Sequence, residues 1–231
     1  MKEICIVFEN KNLVCLDKLL FDLKQLGAIA IKLVEDNYTR LVCAIDNSKA
    51  DYLEYILKCF LSTNVLTKFK KSFINSILHL ENDIKSKVLL QCLINYDIEA
   101  DKTYFLSKLD FNENIYINSF INFKLQLLIN KWKEISTLTK ENSTILDVES
   151  IFYSLIRFVS ENGLSNSIII DANLISNNLV EYDHKIFKMN DFLCYCAKIS
   201  PKKIVFSKID NNIKVNQLFL KLFDKKIEFN N

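Results

Sequence analysis

The sequence predicts an α+β fold: a small N-terminal α/β unit, a central helical region with a helix hairpin, and a small C-terminal α/β unit. Three observations carry that expectation. In the middle of the chain, apolar residues recur at helical spacing in two neighbouring stretches, Asn118–Trp132 and Asp147–Gly163. Ile121, Leu125, Leu128 and Trp132 mark the first; Val148, Ile151, Phe152, Leu155, Ile156 and Val159 mark the second, which stops at Gly163, where a left-handed cap would sit. Near both ends, short runs rich in Ile, Val and Phe read as strands. Half of the 231 residues are apolar and a quarter charged, enough for a real core and against wholesale disorder.

Residues 1–63 read as a β-α-β-β-α unit. Lys2–Glu9 is a first strand, and Leu13–Leu26 carries leucines at helical spacing up to Gly27, a C-cap. Ala28–Glu35 and Tyr38–Ile45 are strands joined through Asp36-Asn37, a hairpin turn. Ser48 is a candidate N-cap for a helix over Lys49–Leu61.

Residues 64–165 read as helical. Phe69, Phe73, Ile77 and Leu80 form one stripe, a helix covers Ile84–Asn95, and another lies near Lys102–Leu109. The two central helices follow, with the polar stretch Thr137–Thr144 as the connection of an antiparallel hairpin.

Residues 166–231 alternate strand and helix, either as a separate unit or packed with the helical region as one domain. Ser167–Asp171 and Leu179–Asp183 are strands with Asn177-Asn178 in the turn. Asn190–Lys198 is a helix, Lys203–Phe206 a strand, Ile213–Phe223 a helix and Lys226–Phe229 a last strand. That alternation points to a small layered, partly parallel end.

Composition narrows the function classes. Thirty basic against twenty-eight acidic residues leave a net charge of +2, so charge alone points to neither nucleic acid nor membrane. No run of apolar residues is long enough to span a bilayer, and the N-terminal apolar run is too short for a signal peptide, so a cytoplasmic location is expected. The cysteines are seven, an odd number lying mostly inside apolar patterns, and read as reduced, buried thiols. The chain has only two glycines, Gly27 and Gly163, and Asn is expected to fill the left-handed turn positions in their place. Two glycines so far apart exclude a Walker A loop, a dinucleotide-binding Gly-x-Gly-x-x-Gly and a Gly-x-Ser-x-Gly elbow.

No constellation announces chemistry. His79 and His184 are the only histidines, and neither sits in metal-ligand spacing. Cys194 and Cys196 point apart if their segment is helical. No cofactor or metal is expected. Arg157, one of two arginines, reads either as a bidentate carboxylate or phosphate contact or as an i,i+4 partner of Glu161. Lys68, Lys70 and Lys71, interleaved with Phe69 and Phe73, read as the solvated face of an amphipathic helix.

Three segments add a family resemblance. Ile199-Ser200-Pro201-Lys202-Lys203-Ile204-Val205-Phe206 resembles the Pro-Lys-Lys-Ile strand entry of the YtxC-like family of sporulation proteins. Phe120-Ile121-Asn122-Phe123-Lys124-Leu125 resembles that family's Phe-x-x-Phe-Arg-Leu segment, and Leu155-Ile156-Arg157-Phe158-Val159 its Leu-Leu-Arg-Tyr-Phe segment. Order and spacing agree over about the C-terminal half. Lys124 replaces the family's Arg, Ser207 stands where its pattern tends to place a His, and Glu228-Phe229-Asn230-Asn231 stands where members commonly carry a Cys-rich tail. The resemblance implies an association with endospore formation and no particular reaction.

The expectation is therefore a non-catalytic accessory or interaction protein associated with sporulation, with a protein partner. Arg157, Lys202 and Lys203 are its candidate surface residues. Two other readings stay open: a nucleic-acid-binding module using Lys202, Lys203, Lys225 and Lys226, and an enzyme whose site gathers around Arg157, Tyr153 or Cys194.

Overall fold

The computed structural model describes residues 1–112, 114–145, 168–208, 213 and 215–230, with main chain alone at 142–145 and 224. The expected helix Asp147–Gly163, and with it Arg157, Tyr153 and the second arm of the hairpin, lies outside the described residues. Contacts group the chain into two units, residues 1–73 with 99–135 and residues 74–98 with 136–231. The sequence reads three consecutive regions instead.

In the first unit, β1 (Lys2–Glu9), β2 (Ile29–Val34), β3 (Tyr38–Ile45) and a two-residue β4 (Ile115–Tyr116) form a sheet in the order β2-β3-β1-β4. β3 runs antiparallel to both β1 and β2, so it lies between two parallel strands joined by helix α1 (Asp17–Leu26), a split β-α-β arrangement. The first helix begins at Asp17, four residues later than its leucine spacing suggests, because Asn10–Asn12 make a 3₁₀ turn before it. Its end at Gly27 is as expected. Gly27 takes φ 85°, and its N–H bonds back to the carbonyls of Leu23 and Lys24.

The hairpin turns at Asp36-Asn37 and is latched by Asn10. Asn10 Nδ2 donates to the carbonyls of Glu35 (2.8 Å) and Asp36 (3.1 Å), while its Oδ1 accepts from Thr39 Oγ1 at 2.7 Å. This latch holds β2 in register beside β3.

Helix α2 (Ala50–Phe60) is preceded by a 3₁₀ turn over Asn47–Lys49, and the capping carboxylate is Asp46, which accepts from Ser48 N at 2.9 Å. Ser48 is thus a donor to the cap, not the cap itself. The helix does not stop at Leu61. A wider turn over Leu61–Val65 carries it into α3 (Leu66–Leu78). The sequence expects the helix to end at Leu61, yet Leu61, Val65 and Leu66 are fully buried, and their burial overrides the local preference of Ser62-Thr63-Asn64.

The remaining helices of this region are α5 (Ile98–Lys108), α6 (Ile117–Lys124) and α7 (Gln126–Ile145). The expected helix Asn118–Trp132 is broken at Leu125 (φ −111°, ψ 26°). Leu125 keeps its side chain fully buried in the same apolar stripe, so the periodicity hides the break. Thr137–Thr144, expected as a connector, is helical instead; Thr139 within it and Ser136 just before it are buried polar residues. One core cluster joins Ile4, Ile6 and Phe8 of β1 to Leu53, Leu57, Phe105, Ile121 and Trp132.

The second unit holds a sheet in the order β7-β6-β5-β8-β9: β5 (Ile169–Ser176), β6 (Leu179–Tyr182), β7 (Lys185–Lys188), β8 (Lys203–Lys208) and β9 (Ile227–Asn230). β5, β8 and β9 are parallel; β6 and β7 are antiparallel additions. Helices α8 (Met189–Ile199) and α9 (Gln217–Phe223) contribute Phe192, Cys196, Phe219 and Phe223 to its core. Phe192 and Phe219 stack at 5.9 Å with Phe206 edge-on to Phe219 at 5.5 Å. α4 (Ile84–Asn95), within its expected bounds, docks on α8 through Asn95, whose amide donates to the carbonyls of Ala197 and Lys198.

Left-handed backbone among the described residues falls at Gly27, His79, Asp97, Asp183, His184 and Ser200. His, Asp and Ser do what Asn was expected to do; short polar side chains tolerate this region by bonding locally.

Candidate functional site

The N-terminal sheet presents one face to its core and the other outward. Residues opposite one another across antiparallel strands share a face, so the register sorts them. Ile4, Ile6 and Phe8 point inward with Leu41, Cys43 and Ile45. The outward set is Ile29, Ile31 and Leu33 on β2, Tyr38, Arg40, Val42 and Ala44 on β3, Glu3, Cys5, Val7 and Glu9 on β1, and Tyr116 on β4, of which Val7 is buried. Most of these are apolar. Ile29 is 63% exposed, Ile31 49%, Leu33 47% and Tyr116 51%. An apolar, solvent-facing sheet face of this kind marks an interaction surface more often than an accident of composition. Its charged border includes Arg40, which pairs with Glu35 at 3.0 Å. Cys5 lies in the same face, its thiol pushed up by burial against the opposing pull of Arg40.

A second feature of this unit is a cleft of about 430 Å³ between α1 and α2, lined by Cys15, Lys18, Asp22, Tyr55 and Cys59 among others. The volume is within the range of small-molecule sites. Cys15 and Cys59 are both exposed, against the expectation of buried thiols. The Tyr55 phenol is raised first by its hydrogen bond to the Cys59 thiol one helical turn away. Nucleophiles are therefore present, but no histidine lines the cleft to act as their base. His79 and His184 instead occupy left-handed turn positions.

The buried polar centre of the unit serves the fold. Asp101, fully buried on α5, accepts from Lys70 Nζ (2.7 Å) and Trp132 Nε1 (2.9 Å) through Oδ2 and from Lys131 Nζ (2.7 Å) through Oδ1. Lys70, expected on a solvated helix face, is only 1% exposed. Lys68 reaches the Leu13 carbonyl at 2.6 Å. Lys68 and Lys70 thus make internal contacts, while Lys71 is exposed, as expected.

Lys202 is exposed in the turn before β8, where its N–H donates to the Ile168 carbonyl at 2.8 Å. Lys203 opens β8 and forms an ion pair with Glu228 of β9. The register puts Asp171, Glu181 and Glu228 on the same face as Lys203, so the charge there is mixed. Arg157 and Tyr153 lie outside the described residues. Cys194 is half-buried on α8, its thiol raised first by burial and next by Asp191. Among the described residues, no three His, Cys, Asp or Glu side chains converge as metal ligands would. None of the described helices is long and apolar enough to cross a membrane.

Sequence reasoning missed the outward sheet face. Its signal was present: Ile29-Ala30-Ile31-Lys32-Leu33-Val34 has apolar residues at both parities, where a half-buried strand alternates. No protein-family model, no curated protein and no solved structure matches the chain.

Proposed function

We propose that this chain is a non-catalytic interaction protein, cytoplasmic and associated with sporulation, that engages a protein partner through the outward face of its N-terminal sheet. The observation that carries the interaction reading is the exposure of Ile29, Ile31 and Leu33 on one continuous face with Val42 and Tyr116. Burying such side chains against a partner is worth about 1.5–3 kcal/mol each, enough to make a small patch a binding centre. The sporulation context rests on the likeness of 120–125, 155–159 and 199–206 to YtxC-like segments. Nothing among the described residues favours the nucleic-acid reading, because carboxylates interrupt the basic residues at Lys203. The enzyme reading gains no support from the cleft, where no histidine lies beside the exposed thiols.

The test is genetic. A clean deletion should lower spore frequency and the wild-type chain should restore it. The double variant Ile29→Lys/Leu33→Lys, at exposed positions that leave the core intact, should keep its melting temperature and fail to restore spores. Normal sporulation in the deletion strain would end the sporulation reading. Full rescue by the double variant would end the face reading.

A further inference from the structure

The free edge of the same sheet identifies one partner. Among the described residues, β2 has a neighbouring strand only on its β3 side. Glu35 N–H donates to the Tyr38 carbonyl at 2.8 Å, which fixes the alternation along the hairpin. Leu33, Ile31 and Ile29, two, four and six residues back, turn their backbone groups toward β3. Ala30, Lys32 and Val34 therefore direct their N–H and carbonyl groups outward, away from any strand of the sheet.

We propose that β2 pairs antiparallel with β2 of a second copy of this chain, extending the sheet from four strands to eight across a two-fold axis. This rests on the interaction reading: the pairing fills the edge of the same sheet and joins the outward faces of two copies into one.

The pairing has one good register. Keeping the outward faces continuous requires odd positions to meet odd positions. Centring on Lys32 would set two ammonium groups directly opposite, which is destabilising. Centring on Leu33 would oppose Ile31 to Glu35, and centring on Ala30 would oppose Leu33 to Gly27, which offers no side chain. Centring on Ile31 opposes Ile31 to Ile31, Ile29 to Leu33 and Ala30 to Lys32, with the last pair carrying the backbone hydrogen bonds. The charges agree with that choice. At one end of β2, Lys49 Nζ lies 3.2 Å from the Leu26 carbonyl, beside Gly27. At the other end are Glu35 and Asp36. In the Ile31-centred register, Gly27 of each copy faces Glu35 of the other, so a cationic end meets an acidic end twice. Complementary ends of this kind also fix register during encounter.

The experiment uses the full chain. Light scattering after gel filtration should give twice the 27.0 kDa chain mass for the wild type. Lys32→Pro removes an outward donor without touching the β3 ladder, and should halve that mass with an unchanged circular dichroism spectrum. Ile31→Cys should form an inter-chain disulfide on mild oxidation, because residues opposed on the axis stand about 4.5 Å apart. Ile29→Cys should behave as wild type, its two copies being about 13 Å apart. A monomeric wild type overturns the proposal, and so does a dimer that Lys32→Pro leaves intact or that Ile31→Cys fails to cross-link. A monomer combined with failed rescue by Ile29→Lys/Leu33→Lys leaves the face reading standing with a different protein as its occupant.

Discussion

Asp101→Asn is the sharpest probe of how the first unit is held together. The carboxylate has no exposure, takes two ammonium groups at 2.7 Å and an indole N–H at 2.9 Å, and ties α3, α5 and α7 to one point. An amide of the same shape keeps one acceptor, loses the charge and turns an NH₂ toward a lysine. Breaking a buried ion pair by removing one partner costs about 3–5 kcal/mol, most of it from the charge left behind in a place with little water. Since the amide retains one acceptor, the lower end applies, about 3 kcal/mol. At about 2–4 °C per kcal/mol for a chain of this size, the melting temperature should fall by about 6–12 °C. The assay is built in: Trp132 is the only tryptophan in the chain, and its fluorescence reads the unfolding of its own surroundings. Adding Lys70→Met should recover at least about 1 kcal/mol, because it removes the ammonium whose carboxylate has gone. A fall below about 2 °C, or a Lys70→Met change that adds to the loss, would refute the reasoning.

Three further outcomes are expected. A thiol reagent at mildly alkaline pH should label Cys15 and Cys59 fast, Cys5 and Cys194 slowly, and Cys43, Cys92 and Cys196 only on unfolding, since burial pushes Cys43 and Cys92 up to about 12 and Cys196 well above its usual value; rapid reaction of Cys92 would contradict its burial. The β6–β7 turn has positive φ at both Asp183 (51°) and His184 (58°), so Asp183→Asn/His184→Gly should raise the melting temperature by about 2–4 °C, a gain of about 1 kcal/mol. Asp83 caps α4 by accepting from the Ser86 hydroxyl (2.6 Å) and Ser86 N–H (3.0 Å), and these bonds hold its carboxyl below the ordinary 3.8. A lowered folded-state value means that the cap's contribution of about 1 kcal/mol is complete above pH 3.8 and is lost as pH falls through the folded value. Thermal melts of wild type and Asp83→Ala should therefore differ at neutral pH and converge in acid.

Elements whose signals are local were legible. β1, β3 and α4 fall within the expected bounds, because alternation, a hairpin turn and an Asp cap all act over a few residues. Where burial decides, local reading failed. The helix expected to end at Leu61 runs on under the pull of Leu61 and Val65, and Leu125 breaks a helix without leaving its stripe. Asp101 was invisible because its partners lie 30 and 31 residues away, and no periodicity links them. β7 went unread because its turn uses Asp183-His184, residues that rarely announce a left-handed pair. The outward sheet face was legible in principle, since a strand apolar at both parities must either be buried on both sides or lend one side to something else.

The edges of the two sheets supply the comparison that gives β2 its meaning. Open edges invite unwanted pairing, and proteins guard them by shortness, by charge or by proline. Among the described residues, three of the four edges are guarded in that way. β4 is two residues long. β7, Lys185-Ile186-Phe187-Lys188, is four residues with a lysine at each end. β9 is four residues with Glu228 and Asn230 along it. β2 is six residues, five of them apolar and only Lys32 charged. β9 carries one charge in four residues and β4 none in two, so β2 is the one long edge with fewer charges than the quarter typical of the chain. Within the Ile31-centred register that lysine faces Ala30, so even this charge does not oppose pairing. A sheet edge left open in a molecule that closes its others has the form of a docking strand.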